Sequence, residues 1–214
     1  MIRFLVFDFD GTLADTTEGI LKTTEATLER MGLPAADPAL VQQAIGLPLQ
    51  GSLRAAGVPV ERIAEGVDTY HELFYELAPR HISIYPGVKE GLEMLAGQGV
   101  RMGIATSRSE HSLVTLLSEH GILHHFEVLG TVQCVERPKP APDLVQWVLE
   151  RFGAAPEEAM VIGDTTYDIA MGAAAGCRTC AVSYGNHPVE KLLTANPDHI
   201  VSSIEEIAAL TGAF

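Results

Sequence analysis

Two aspartates, Asp8 and Asp10, stand two residues apart in the run Asp8-Phe9-Asp10-Gly11-Thr12, directly after an apolar stretch. On an extended chain such residues point to the same side. Asp8 is then placed to attack phosphorus, because carboxylates form phosphoryl-enzyme intermediates. Asp10 is placed to give a proton to a leaving oxygen and later to take one from water. Gly11 lets the backbone turn sharply and approach a ligand. A solvent-facing acidic strand end would also present two carboxylates, but it leaves the preceding apolar run and the following Gly-Thr-Leu unexplained.

Three further segments carry residues of complementary chemistry. Thr106 ends the segment VRMGIAT, and Ser107 and Arg108 follow. A hydroxyl and free backbone N–H groups at a strand end, ahead of a helix, can hold phosphate oxygens. A Thr there also serves as a plain helix cap, and Arg108 reads equally as a contact for a substrate carboxylate or as a solvated helix start. Lys139 lies in Arg137-Pro138-Lys139-Pro140-Ala141-Pro142. Three prolines stiffen that loop, so aiming its Lys at Asp8 and a phosphoryl group costs little entropy; a rigid exposed turn is the simpler alternative. Asp164 and Asp168 fall in Gly163-Asp164-Thr165-Thr166-Tyr167-Asp168. Four residues apart, they can share one side of a first helical turn, either as hard oxygen ligands suited to Mg²⁺ or as helix-capping acids.

Each segment follows a stretch that reads as a strand. Ile2–Phe7, Val100–Ala105, Glu127–Leu129, Ala159–Ile162 and Thr179–Val182 are apolar nearly throughout, as strands covered on both faces are. Ile200–Val201 adds a short edge strand. Helical periodicity lies between them, at Val88, Leu92 and Leu95, at Leu113, Leu116 and Leu117, and at Leu144 through Phe152. Alternating strands and helices predict an open parallel sheet with helices on both faces. Ligands bind beyond the carboxyl ends of such strands, so all four segments gather at one edge. Carboxylates brought together there repel by about 4 kcal/mol per pair at 4 Å and an effective dielectric near 20. A divalent cation and a Lys relieve that conflict, and stabilising phosphoryl oxygens in flight is most of what phosphoryl transfer requires.

Residues 17–81 break the rhythm, with helical patterns and no convincing strand. Ile20, Thr24, Leu28 and Met31 fit one helix face; Val67, Tyr70, Leu73, Phe74 and Leu77 fit another. This predicts an all-helical insertion, with hinges near Thr16–Thr17 and His81–Tyr85. The turn-rich stretch Gly46–Gly51 is expected to hang over the site or to be a plain interhelical loop. The net charge of −14 argues against nucleic acid as a partner. No run approaches the roughly 20 apolar residues of a membrane helix, and no signal peptide is evident, which predicts a cytoplasmic protein. Cys134, Cys177 and Cys180 do not suggest a disulfide scaffold, and the Cys177/Cys180 spacing leads into a strand rather than opening a helix. His120, His124 and His125 read as surface residues.

Taken together, DFDGTLADT, the Thr after a strand, PKPAPD and GDTTYDIAMGAAAG resemble the haloacid dehalogenase-like hydrolase superfamily, and within it phosphoglycolate phosphatase-like members. The resemblance covers the whole chain. It implies a Rossmann-like, three-layer α/β core, residues 1–16 and 82–214, with a helical cap over residues 17–81. It implies that Asp8 is the nucleophile and Asp10 the general acid/base. Mg²⁺ would be held by the Asp8 carboxylate, the Asp10 backbone carbonyl and Asp164, with Asp168 supporting the site. Thr106 and Lys139 would bind the transferring phosphoryl group, with Gly11, Ser107 and Arg108 beside them, and the partner would be a small phosphorylated metabolite. Dehalogenases of the superfamily lack the second Asp. Phosphonatases place a Lys in the cap, where this chain has only Lys22. Sugar phosphomutases share all four motifs but add cap residues, a role open to Arg54. A non-catalytic interaction module would not need Lys139 and both Asp pairs.

Overall fold

The apolar runs pair into one six-stranded sheet. The computed structural model describes residues 2–211. In chain order the elements are β1 (Phe4–Phe7), β2 (Ala14–Asp15), α1 (Thr17–Arg30), α2 (Pro38–Gln43), α3 (Leu49–Ala55), α4 (Ile63–Leu77), β3 (Ser83–Ile84), α5 (Val88–Gly97), β4 (Arg101–Ala105), α6 (Glu110–Glu119), β5 (Phe126–Gly130), α7 (Asp143–Phe152), β6 (Ala159–Gly163), α8 (Thr166–Ala174), β7 (Arg178–Val182), α9 (Val189–Leu193), β8 (His199–Val201) and α10 (Ile204–Leu210). The sheet order is β5-β4-β1-β6-β7-β8, and every pairing is parallel. The chain builds outward from β1 to one side, then crosses back and builds to the other. The crevice at the carboxyl end of β1 is therefore a topological switch point, where such sheets bind ligands.

Each central strand is buried on both faces, so its residues alternate between two cores. Leu5 and Phe7 pack with Leu92 and Leu95 of α5, Leu113 and Leu117 of α6, and Ile204 and Ile207 of α10. Phe4 and Val6 pack with Leu144, Val145 and Val148 of α7 and Met171 of α8. Fully burying such a side chain contributes about 1.5–3 kcal/mol. These two layers offset the cost of the buried charges at the sheet edge.

Helices α1 to α4 fall between β1 and β4, and among the described residues this stretch contributes no strand to the large sheet. A short pairing lies beside the junctions read as hinges. Ala14 and Asp15 pair antiparallel with Ile84 and Ser83, making a two-stranded ribbon at the base of the helices. Two-residue strands are too short to leave a periodic signal. The buried face of α1 also differs from the apolar one read from sequence, being Gly19, Thr23, Thr24, Thr27 and Leu28. Thr23 and Thr27 can be buried because their hydroxyls donate to the Gly19 and Thr23 carbonyls, each at 2.7 Å. Ile20 faces a cavity instead. Among the described residues no helix is long and apolar enough to cross a membrane. Cys177 and Cys180 are free and buried, and burial pushes both thiols up to about 12. They are inert wall residues, as the strand context of their spacing suggested.

Candidate active site

Four strand ends bring the four segments together. Asp8 follows β1, and Asp164 follows β6 at the neighbouring position, since Phe7 pairs with Ile162. Asp8, Asp164 and Asp168 are all buried and each offers an oxygen within 4.8 Å of the others. Lys139 joins them: its Nζ lies 2.7 Å from Asp8 Oδ1 and 2.6 Å from Asp168 Oδ1. Three carboxylates facing one ammonium leave two negative charges uncompensated if all are ionised. The Asp8 carboxyl is accordingly raised well above the ordinary range, first by burial, with Lys139 opposing and Asp168, Asp164 and Asp10 adding to the rise. Asp164 is pushed up to about 7 by burial and the Asp168 charge, against hydrogen bonds from Asn186 and Thr12. Burial lowers the Lys139 amine, but Asp168 and Asp8 outweigh it and hold the ammonium above its ordinary value.

Local structure explains each placement. Lys139 comes from the proline-stiffened loop, where Ala141 N–H donates to the Pro138 carbonyl and Arg137 forms a two-point pair with Asp143. Thr165 is the N-cap of α8, and Asp168 completes a capping box by accepting the Thr165 N–H at 3.0 Å and its hydroxyl at 2.6 Å. Those bonds occupy Asp168 Oδ2, while Oδ1 holds Lys139. Helix capping and the contact with Lys139 are therefore combined in one side chain. Asp164 Oδ1 accepts from Thr12 at 3.0 Å, and its Oδ2 accepts from the Asn186 backbone and side-chain amides at 2.7 and 2.9 Å. Gly11, with φ of +80°, lies so close that a Cβ there would stand 2.1 Å from Asp164 Oδ2. Its smallness serves the approach of Asp164.

The carboxylates fit a hard divalent cation. Asp8 Oδ2 is a buried acceptor with no hydrogen-bond donor among the described residues, and the local charge is negative. Asp8 and Asp164 each bring an oxygen to that cluster, Asp168 has both its oxygens engaged by Lys139 and Thr165, and Mg²⁺ commonly takes one or two carboxylates and keeps its waters. Asp10 is not in that cluster. Its carboxylate is held on the cavity side by Thr16 Oγ1 at 2.6 Å and by Arg108, whose Nε and Nη2 reach it at 2.6–3.0 Å. Arg108 is thus no solvated helix start. It is half-buried, with its side chain only 9% exposed, lies over the rings of Phe9 and Phe74, and donates to Ser112 at 2.8 Å.

A cavity of about 100 Å³ opens from Asp8 and Asp10 toward the helical insertion. Thr106, Ser107 and Arg108 form its sheet-edge side, and Ile20, Ile45, Leu47, Leu49, Tyr70 and Phe74 face them. The Gly46–Gly51 stretch does hang over the site. Ser107 Oγ donates to the Gly46 carbonyl at 2.7 Å, so that hydroxyl ties the insertion to the core. Arg54 is exposed on α3 and does not line the cavity. The phosphomutase alternative thereby loses its candidate residue. His124 is exposed, His120 and His125 are half-buried, and none lines the cavity. Sequence reasoning did not assign Thr16, Ser112, Asn186 or His187. Asn186 and His187 follow β7, a fifth strand end at the same edge. The rule that sites lie beyond strand ends pointed there, but Gly-Asn-His reads as ordinary loop chemistry.

Residues 5–182 match the family described as haloacid dehalogenase-like hydrolase. "Probable phosphatase IndB" of Dickeya dadantii is 34% identical over 218 residues, covering 100% of this chain and 95% of that protein. A phosphoglycolate phosphatase of Nitrosococcus oceani is 32% identical, covering 97% and 96%. A solved haloacid dehalogenase-like family hydrolase from Streptococcus pneumoniae superposes with a TM-score of 0.88 at 25% identity, covering 99% of each chain. Fold, edge chemistry and these likenesses agree: the chain belongs to the haloacid dehalogenase-like hydrolase family.

Proposed function

We propose that this chain is a Mg²⁺-dependent phosphatase that hydrolyses a small phosphate monoester through a phospho-aspartate on Asp8. One observation carries the reading: Asp8, Asp164 and Asp168 converge with Lys139 beneath a cavity into which Asp10 also faces. In this reading Asp8 attacks phosphorus, the bond from phosphorus to the leaving oxygen breaks, and Asp10 gives that oxygen its proton. Water then attacks the phospho-aspartate, Asp10 takes a proton from it, and the bond between phosphorus and the Asp8 oxygen breaks to release phosphate. Lys139 holds Asp8 in place and offsets charge on the phosphoryl group, and Asp168 positions Lys139. Thr106, buried at the cavity wall, supplies a hydroxyl toward phosphate oxygens. Mg²⁺ bound by Asp8 and Asp164, and by the Asp10 carbonyl as the family resemblance implies, would neutralise charge on the phosphoryl oxygens. Residues 17–81 act as a cap, their apolar wall excluding bulk water and large substrates.

The relatives support the class: one is named a phosphoglycolate phosphatase and another a pyrophosphatase. The test is inorganic phosphate release from an aryl phosphate and a panel of small phosphorylated metabolites. Activity is expected with Mg²⁺, absent with EDTA, and reduced by roughly 10³-fold or more in Asp8→Asn. Undiminished turnover in Asp8→Asn would rule out the covalent route.

A further inference from the structure

The phosphoryl group belongs at the Asp8 end of the cavity, and in-line attack puts the leaving oxygen on the side of phosphorus away from Asp8. The leaving half therefore points toward the helical insertion, where α1 and α4 bring Thr24 and Tyr70 to the cavity wall. Thr24 is 4% exposed and Tyr70 8%. Neither hydroxyl has a hydrogen-bond partner among the described residues. Neither oxygen is sealed from solvent, because among those residues the one sealed and unpartnered side-chain oxygen is Asp8 Oδ2. In side chains so nearly buried, the remaining open surface is the cavity that they line. The contrast within α1 is direct. Thr23 and Thr27 donate to carbonyls four residues back, whereas Thr24, on the cavity side, makes no such bond. Burial raises the Tyr70 phenol, with Arg108 opposing and Asp10 adding to the rise. The phenol thus keeps its proton and lies within electrostatic reach of the acid that serves the leaving oxygen.

A hydroxyl left unpaired in a largely dry wall gains from any partner that enters. On the insertion side the rest of that wall is Ile20, Ile45, Leu47, Leu49 and Phe74, with no lysine or arginine among the described residues, and His71 is exposed. A charged group pressed against this wall would lose hydration without meeting a counter-charge. A neutral hydroxyl or carbonyl gives up far less and is paired on arrival. We propose that Thr24 and Tyr70 are specificity-determining residues whose hydroxyls hold a neutral hydrogen-bonding group on the substrate's leaving half. This deepens the phosphatase reading and rests on it. The substrate class is a phosphate monoester of a small alcohol that carries a further hydroxyl or a carbonyl on an otherwise apolar frame.

Steady-state kinetics on matched alkyl phosphates test this. The compounds are 2-hydroxyethyl and 3-hydroxypropyl phosphate, their methyl isosteres propyl and butyl phosphate, and carboxymethyl phosphate as the charged member. A substrate hydroxyl both donates and accepts, so it probes either kind of group. The wild type is expected to favour at least one hydroxyl compound over its isostere by roughly 10- to 100-fold in kcat/KM. Tyr70→Phe keeps the ring and Thr24→Val keeps the shape; each should cut that preference roughly fivefold, and both together should bring it to within about threefold of unity. A loss that falls equally on hydroxyl compound and isostere would mean that the two residues only pack, and it overturns the proposal. A preference that survives both changes overturns it as well. So does a wild type that favours carboxymethyl phosphate over both hydroxyl compounds, a measurement that needs no variant to fold. No phosphate release from these or from aryl phosphates would overturn the phosphatase reading and this inference together, whereas aryl phosphate hydrolysis without hydroxyl preference overturns this inference alone.

Discussion

Asp164 shows how burial makes a carboxylate depend on its counter-charge. Its carboxyl is pushed up to about 7 from an ordinary 3.8 by burial first and by Asp168 next. With no cation bound, the folded protein keeps this proton at a pH where the unfolded chain has released it. The folded state then binds more protons, so stability falls as pH rises from about 4 to 7. Asp8 is shifted in the same direction and steepens the trend. A divalent cation held by these carboxylates would remove the penalty by stabilising their ionised forms, and one that binds only the folded state would raise its stability. Thermal unfolding should therefore show Mg²⁺ raising Tm more at pH 8 than at pH 5. An equal increment at both would mean that Asp8 and Asp164 do not hold the ion. Removing one partner of a buried ion pair typically costs about 3–5 kcal/mol. Lys139→Met, which leaves Asp8 and Asp168 facing one another, is expected to lower unfolding free energy by that order in urea denaturation without metal.

At the scale of elements, the site depends on turns tight enough to bring two strand ends into contact. The turn after β1 places Gly11 at φ +80°, where an added Cβ would stand 2.1 Å from Asp164 Oδ2 and 2.2 Å from Asn186 Nδ2. Gly11→Ala must strain the backbone by about 1–2 kcal/mol and also displace Asp164. Gly32, after α1, has φ +68° and open space around its Cβ position, so Gly32→Ala carries the backbone cost alone. Urea denaturation should show Gly11→Ala the more destabilised of the two, and isothermal titration should show weakened Mg²⁺ binding in Gly11→Ala only. Equal stability losses with intact Mg²⁺ binding would mean that the β1 turn does not set the position of Asp164. Residues 164–168 work likewise: the capping box that starts α8 also aims Asp168 at Lys139, so the helix start and the charge network form together.

At the scale of the molecule, the core holds the helical insertion through backbone carbonyls at the end of α2 and in the turn after it. Ser107 donates to Gly46 at 2.7 Å, and Tyr167 reaches the Gln43 carbonyl at 3.4 Å. His187 Nδ1 accepts the Thr166 N–H at 3.0 Å, which puts the ring proton on Nε2, 3.1 Å from the same Gln43 carbonyl. Such contacts can break without unfolding either part. A hydrogen bond of this kind contributes about 1 kcal/mol. Ser107→Ala should raise amide hydrogen exchange across residues 44–47 by roughly fivefold while exchange in the central strands stays unchanged. Protection at 44–47 identical to wild type would mean that the loop is held by packing alone.

The chain's own order of residues determined the fold class and the segments that meet at one sheet edge. Short continuous apolar runs bounded by turn residues fit strands covered on both faces, and strands alternating with helices favour a parallel sheet, which carries Asp8, Thr106, Lys139 and Asp164 to one edge. Local capping and turn chemistry was legible for the same reason: its partners lie within four residues. What tertiary structure alone decided were pairings across long stretches of chain: Arg108 with Asp10, Thr12 and Asn186 with Asp164, Ser107 with Gly46, and the ribbon of β2 and β3. Arg108 could have faced water and Arg54 the cavity without any change in local pattern. Which side chain is buried beside which depends on how separate helices pack, and hydrophobic periodicity along one helix carries no record of its neighbour's register.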